Sequence, residues 1–141
     1  MTQDIVVGYD ASDGAVTALE TAAALAQQLG ATLRLIFCYE PPAVLAGGPA
    51  GEQRDEIERI GRDRLNEGLA RIAGRELIAE GELVDARPDE GLIAAGNQYD
   101  ALMIVVGHHG EGPLRGALIG ATANKLLHQA ERPVLVVPAI E

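Results

Sequence analysis

The chain has 141 residues, the length of one ordinary domain, and its 48% hydrophobic and 23% charged residues exclude a disordered segment. The formal net charge is −10, and no Lys/Arg cluster offsets it, so nucleic acid and anionic membrane surfaces are poor candidate partners. The single cysteine, Cys38, excludes an intrachain disulfide. The amino terminus has no basic region and no apolar stretch approaches about 18 residues, which predicts a soluble, cytoplasmic chain.

The first elements in chain order form a predicted strand–helix–strand unit. Residues 5–9 are a short apolar run typical of a β-strand, and Ser12 or Asp13 can cap the helix that follows. Apolar residues at 16, 19, 23, 26 and 29 then share one helical face, which Gly30 closes. Residues 33–39 predict a second strand.

The middle of the chain predicts a loop, a helix and a strand. Residues 40–51 are rich in proline and glycine, which predicts a mobile surface loop. Apolar residues from 57 to 72 mark a second helix, although the two glycines inside it lower its helix propensity. Residues 77–84 predict a third strand that is interrupted near Gly81.

The last third continues the alternation. Pro88 suits the first position of a third helix, residues 101–106 predict a fourth strand, and a fourth helix begins at Gly120. Pro133 opens a last strand, Val134–Val137. Strands that alternate with helices and are continuously apolar predict a parallel sheet covered on both faces.

Three glycines around the end of the fourth strand point to a ligand. Gly107 and Gly110 follow the strand, and Gly120 begins the next helix. A strand that ends in glycines and continues as a helix directs backbone N–H groups at one point, which suits a phosphate or another anion. Ligands of parallel sheets bind beyond the carboxyl ends of the strands, where the strand order reverses. If strands one and four are neighbours, Asp10 and the glycines face one crevice.

With Asp10 after the first strand, the G-x2-G-x9-G spacing from Gly107, and the terminal run 132–137, the chain resembles the universal stress protein family. The resemblance implies a three-layer α/β sandwich with a five-stranded parallel sheet, adenine-nucleotide alpha-hydrolase-like, in a single domain of residues 1–141. It also implies an adenine nucleotide ligand, ATP or AMP with Mg²⁺, and a homodimer joined through the last strand.

The resemblance assigns nucleotide contacts to four short segments. The segment after strand one contacts adenine and ribose, and the end of strand two contacts adenine. The end of strand four approaches ribose and phosphates, and the start of helix four donates N–H groups to the phosphates. In that order the segments are Gly8, Tyr9 and Asp10; Cys38; Val106, Gly107, His109 and Gly110; and Gly120, Ala121 and Thr122.

One residue departs from the family motif, which has Ser or Thr directly after the third glycine where this chain has Ala121. Loss of a hydroxyl to a charged phosphate costs on the order of 1.5–3 kcal/mol, or about ten- to a hundredfold in affinity. Thr122 comes one residue later, and a helix turns its side chain about 100° away. We therefore do not expect Thr122 to replace the missing hydroxyl.

Simpler roles remain open for the same residues. Gly107 and Gly110 can be turn glycines with positive φ, Asp10 can be a helix cap, and Cys38 can be a small buried hydrophobe. Adjacent histidines diverge on an extended loop and no third ligand is evident, so His108 and its neighbour predict no metal site.

Three functions are compatible with these residues. The first is a cytoplasmic, homodimeric stress-response protein that binds ATP and signals to a protein partner through its occupied state. The second keeps the fold as a dimerisation or interaction module without nucleotide, and the third is a slow ATPase. No Walker motif, dinucleotide-binding turn or nucleophile–base pair occurs, so we predict no catalytic residue and no enzyme.

Overall fold

The computed structural model describes residues 3–40, 50–108 and 120–138. Within them strands and helices alternate without exception. None of the helices in this part of the chain is long and apolar enough to cross a membrane. The elements are β1 (Asp4–Gly8), α1 (Asp13–Leu29), β2 (Thr32–Tyr39), α2 (Ala50–Arg71), β3 (Ala79–Asp85), α3 (Pro88–Gln98), β4 (Met103–Gly107), α4 (Ala121–Gln129) and β5 (Val134–Val137).

The strands form one parallel sheet with the order β3-β2-β1-β4-β5. The prediction of a five-stranded parallel α/β fold is therefore confirmed. Each strand of the centre is apolar at successive positions because both of its faces are covered. In β1, Val7 packs with α1 and α2 on one face of the sheet, while Val6 packs with α3 and α4 on the other.

Helix α1 is held close to the sheet by small residues. Its Ala18, Ala22 and Ala26 are fully buried, whereas Leu29, which we expected on the buried face, is 53% exposed. The spacing of apolar residues predicted the position of the helix correctly, but alanines form most of the surface that contacts the sheet. Gly30 closes the helix in the left-handed region with φ 66°, as predicted.

The glycines of α2 lie where this helix meets the sheet. A Cβ on Gly68 would come within 2.9 Å of the Tyr9 ring, and a Cβ on Gly61 within 2.5 Å of Leu83 Cδ2. The lower helix propensity is therefore offset by closer packing. Helix α2 also begins earlier than predicted, because Ala50 belongs to it and not to a loop. The rest of the predicted loop, 41–49, lies outside the described residues.

The prediction that the third strand is interrupted near Gly81 is wrong. Strand β3 runs without a break, and Gly81 pairs with Leu35 of β2. Residues 79–85 pair one to one with residues 33–39 of β2, so the ladder passes through Gly81 without a bulge.

Candidate functional site

A cavity of about 120 Å³ opens at the carboxyl ends of β1, β2 and β4. The chain leaves β1 toward β2 on one side, and β4 lies on the other side, so the strand order reverses here. Most of the predicted site residues that the structure describes line this cavity. They are Gly8, Tyr9, Asp10, Cys38, Val106, Gly107 and Thr122. Gly120 and Ala121 are not among the lining residues, and His109 and Gly110 lie outside the described part of the chain.

Close packing against backbone requires glycine at Gly107, while at Gly8 a side chain would press on the movable end of Leu92. A Cβ on Gly107 would lie 2.7 Å from the Gly14 carbonyl oxygen at the start of α1, and a Cβ on Gly8 would lie 2.9 Å from Leu92 Cδ1. Gly107 has no positive φ, unlike Gly30, so the turn interpretation is wrong for it. Its missing side chain lets α1 lie directly against the end of β4, where both elements form the cavity wall.

The loop after β1 holds Asp10 in an ordered turn. Asp10 Oδ1 accepts a hydrogen bond of 2.9 Å from the Ser12 N–H, and Ala11 between them has φ 65°. The buried Ser12 hydroxyl oxygen in turn accepts from the Ala15 N–H at 3.2 Å, which makes Ser12 the cap of α1. Asp10 is therefore not the helix cap. Its exposed carboxylate remains at the cavity mouth.

The Tyr9 ring belongs to the hydrophobic core more than to the cavity. Tyr9 is 3% exposed, and its ring packs under α2 at Gly68. Burial raises the pKa of its phenol, while Arg71 at the end of α2 lowers it in part. Tyr9 therefore lines the site, but its hydroxyl already interacts with Arg71.

Cys38 presents a protonated thiol to the cavity. Burial, reinforced by the charges of Asp89 and Glu82, raises the pKa of the Cys38 thiol to about 12. Its Sγ donates a weak hydrogen bond to the Pro88 carbonyl oxygen at 3.9 Å, and a Cβ on Gly91 would lie 2.5 Å from it. Such a thiol acts as a small apolar wall and not as a nucleophile.

The start of α4 differs from the prediction in two ways. The Gly120 N–H donates to the His108 carbonyl oxygen at 2.7 Å, while the His108 N–H donates to Val137 at 2.8 Å. The amide of Gly120 is therefore not free for a phosphate, because it ties α4 to the end of β4. Ala121 is exposed, whereas Thr122 lines the cavity. Thr122 therefore lies at the cavity, although a helix turns its side chain about 100° from that of Ala121.

The first-turn amides of α4 have no acceptor within their own helix. Gly120 is the residue before the helix and makes no side-chain cap hydrogen bond, and the first intrahelical bond runs from the Asn124 N–H to the Gly120 carbonyl at 3.0 Å. Helix N-termini of this kind favour anions. Three amides, those of residues 121–123, precede that first bond.

Sequence inspection missed several contributors to the cavity. Ser12, Ala15, Ile36, Pro88 and Leu92 also line it. Ser12 caps α1, Ala15, Pro88 and Leu92 lie in the first two turns of their helices, and Ile36 lies in the carboxyl-terminal half of β2. Position near a strand end or helix start was the available signal.

Asp89, the second residue of α3, is an unpredicted buried carboxylate next to the cavity wall. It is 2% exposed, and its Oδ2 accepts no hydrogen bond. The Arg87 guanidinium lies 3.6 Å away, and the helix N-terminus favours its charge. Among the described residues no cluster of three or more potential metal ligands occurs.

Comparison with known proteins gives one consistent family. The profile of the universal stress protein family matches residues 1–138. The universal stress protein in the QAH/OAS sulfhydrylase 3′ region of Thermus aquaticus is 32% identical over 139 residues, covering 97% of this chain and 99% of that one. The chain spans about half, 47%, of the length of several mycobacterial relatives that it matches.

Solved structures share the fold. The universal stress protein from Archaeoglobus fulgidus in complex with dAMP superposes with a TM-score of 0.71 at 25% identity, covering 95% of this chain and 96% of that one. A universal stress protein in complex with cAMP superposes with a TM-score of 0.70 at 24% identity, covering 99% and 98% of the two chains. Some structural neighbours are thus complexes with adenine nucleotides.

Proposed function

Because the chain belongs to the universal stress protein family, we propose that it binds an adenine nucleotide, ATP or AMP, in the cavity between β1 and β4. One observation carries the proposal. Asp10, Cys38, Gly107 and Thr122 come from four distant segments and line one cavity where the strand order reverses. The cAMP and dAMP complexes of related proteins support the same class of ligand.

The cavity suits the base and ribose of a nucleotide. Ile36, Leu92 and Val106 give it apolar walls, and burial of a flat base against them is favourable. Its volume of about 120 Å³ is below the roughly 300–1,000 Å³ of pockets that enclose a whole drug-sized ligand. We therefore place the base and ribose inside and the phosphates outside, toward the start of α4. The ribose hydroxyls would donate to the Asp10 carboxylate.

The described residues also fit a magnesium ion carried by the phosphates. Mg²⁺ in nucleotide sites is held by one or two carboxylates together with substrate phosphates, and Asp10 is the carboxylate among the described lining residues. Bound there, the ion would neutralise phosphate charge next to a chain whose net charge is −10. Salt screens the repulsion between distant acidic residues and the phosphates over about 8 Å, so contacts at the site itself determine whether the nucleotide binds.

We propose a binding role without catalysis. No histidine, lysine or glutamate is among the described lining residues, and Asp10 has one oxygen engaged by the Ser12 N–H. A general base would have to come within hydrogen-bonding reach of the attacking water. The protein would act in the cytoplasmic stress response by presenting a different surface to a protein partner when the nucleotide is bound.

Two measurements test nucleotide binding. Denaturation of freshly purified protein should release AMP or ATP in near-stoichiometric amount, which mass spectrometry detects. Calorimetry should give one binding site per chain for AMP and for Mg-ATP. Asp10→Asn is the matched variant, because its amide oxygen can still accept from Ser12 while the charge is lost. We expect it to weaken Mg-ATP by about tenfold. No binding of adenosine, AMP or Mg-ATP to the wild type at millimolar concentration would refute the proposal.

A nucleotide-free interaction module is the second candidate. The Gly120 N–H is already bonded to His108, and Ala121 has no hydroxyl, so fewer phosphate donors are available than the glycine motif predicts. A negative result for adenosine, AMP and Mg-ATP in the calorimetry, with a wild type that is still dimeric by light scattering, would favour this alternative.

We further propose a homodimer through β5, which lies at the edge of the sheet. An edge strand presents unpaired backbone groups that can pair with another chain. The Ile104 N–H donates to the Pro133 carbonyl, and the His108 N–H donates to the Val137 carbonyl. Odd-numbered residues of β5 therefore direct their backbone groups at β4, and the backbone N–H and C=O of Val136 point outward.

Two proline variants test the dimer. Val136→Pro removes an outward N–H and should give a folded monomer by light scattering, since proline is tolerated on the free side of an edge strand. Leu135→Pro, the control, removes a ladder bond and should destabilise the fold. A Val136→Pro variant that remains dimeric would contradict pairing through β5.

A further inference from the structure

The sheet has a second edge strand besides β5, and that strand is β3. Strand β3 has seven residues, whereas β5 has four. Within the part of the chain that the structure describes, only β2 pairs with β3. A homodimer through β5 would therefore leave one β3 unpaired at each end of the joined sheet.

The register of β3 shows which of its backbone groups are available at this edge. The Leu33 N–H donates to the Ile78 carbonyl at 2.8 Å, and Leu33 lies opposite Ala79. In a parallel ladder this register directs the backbone groups of even-numbered residues of β3 at β2. The outward N–H and C=O groups belong to residues 79, 81, 83 and 85. Gly81 in the middle of them is exposed and has no side chain to obstruct an added strand.

The face of β3 turned away from α2 carries acidic side chains. Helix α3 packs on β1 and β2 and leaves the Glu80 side chain 61% exposed. Glu80 pairs with Arg34, a cation that Asp4 shares. Glu82 accepts a hydrogen bond of 3.0 Å from the Tyr99 hydroxyl and forms no ion pair with a described residue. Its negative charge is therefore available to a cation that arrives at this edge.

These charges select the kind of strand that fits. A two-fold pairing of β3 with β3 of a second copy would bring the acidic side chains of both strands together, and like charges opposite each other destabilise a strand pair. The net charge of −10 adds to that repulsion. A strand with Lys or Arg at every second residue fits instead, because alternate side chains share one face and would lie beside Glu80 and Glu82.

We propose that the free edge of β3, residues 79–85, binds an extended basic segment of a partner protein as an added strand. The outward backbone groups of β3 bond the segment, and its alternate cations lie beside Glu80 and Glu82. In this mode of recognition the main chain supplies affinity and alternate side chains supply specificity. The binding does not depend on whether the cavity holds a nucleotide.

Fluorescence anisotropy with short blocked and labelled peptides tests the pattern of charges. The probe TKVKVKT places its three lysines on one face of a strand. The control TVKKKVT has the same composition and charge without the alternation, and TEVEVET reverses the charge. We expect the wild type to bind TKVKVKT about fivefold more tightly than TVKKKVT and not to bind TEVEVET.

Two variants test the location. Glu82→Gln keeps an oxygen for the Tyr99 hydroxyl but loses the charge, and it should weaken TKVKVKT about two- to fivefold. Glu131→Gln, the matched control, changes the net charge equally but lies just before β5, and should have less than about a twofold effect. Gly81→Pro removes an outward N–H, which an edge strand tolerates, and should weaken the peptide about tenfold. Thermal melts check that each variant is folded.

Amide hydrogen exchange of the wild type gives a readout that needs no variant. The N–H groups of Gly81 and Leu83 should exchange faster than those of Glu80 and Glu82 in the free protein, and saturating TKVKVKT should slow the outward pair. Unchanged exchange of the outward pair, equal binding of TKVKVKT and TVKKKVT, or equal effects of Glu82→Gln and Glu131→Gln would overturn the proposal. Assembly beyond a dimer that Gly81→Pro abolishes would also overturn it, because a second copy would then occupy the edge.

Discussion

Gly107→Ala tests whether the glycine at the end of β4 is present for packing or for a ligand. The added Cβ would lie 2.7 Å from the Gly14 carbonyl oxygen and 2.8 Å from the Gly14 carbonyl carbon. Both are backbone atoms of α1, so no side-chain rotation relieves the contact. Either α1 or the end of β4 must shift.

The expected cost follows from overpacking, which destabilises by about 1–3 kcal/mol. With a urea m-value of about 1–3 kcal/mol/M for a small domain, the midpoint of unfolding should fall by about 1 M. The loss should occur without any nucleotide in the buffer, because the clash lies within the protein.

Gly81→Ala is the matched control. It changes a strand glycine whose added Cβ would meet Leu65 at an ordinary 3.4 Å, and its backbone has no positive φ. We expect it to be neutral or to stabilise by about 0.4–1 kcal/mol through the unfolded state. A Gly107→Ala midpoint equal to that of the wild type would refute the packing argument and would favour a glycine kept for close approach of a ligand.

Three further changes have defined outcomes in urea unfolding. The fold raises the pKa of the Cys38 thiol from 9.0 to about 12. The contribution of this thiol to stability is therefore complete below pH 9 and is lost as the pH rises toward 12. The wild type should lose stability between pH 8 and 10 more steeply than Cys38→Ala, and parallel profiles would contradict this. Arg132→Met should cost about 1–3 kcal/mol, because Nη1 donates to the buried Ala101 carbonyl at 2.6 Å; an unchanged midpoint would show that another donor satisfies this carbonyl. Ser12→Ala should cost about 1 kcal/mol by removing the α1 cap, whereas Thr17→Ala, on the exposed side of α1, should stay within about 0.5 kcal/mol.

Local patterns in the chain were enough to predict the architecture. Continuous apolar runs such as the one that became β4 indicate strands covered on both faces, and their alternation with helices indicates a parallel sheet. Gly30 and Pro88 mark helix boundaries through their own backbone preferences, and the structure confirms both. The position of Asp10 after β1 follows directly from that strand, so its place at the cavity could be predicted before the fold was known.

Contacts between distant segments decided the rest. The apolar pattern predicts neither the neighbour of each strand nor the 2.7 Å bond that ties Gly120 to His108. Nor does it predict that Thr122 lines the cavity while Ala121 is exposed. The reason that Gly107 must be glycine also lies in another element, the start of α1. Sequence by itself determined which elements form and which of their ends carry the site. Tertiary packing alone decided which groups at those ends remain available, because each backbone donor or side chain is engaged or left free by residues far away in the chain.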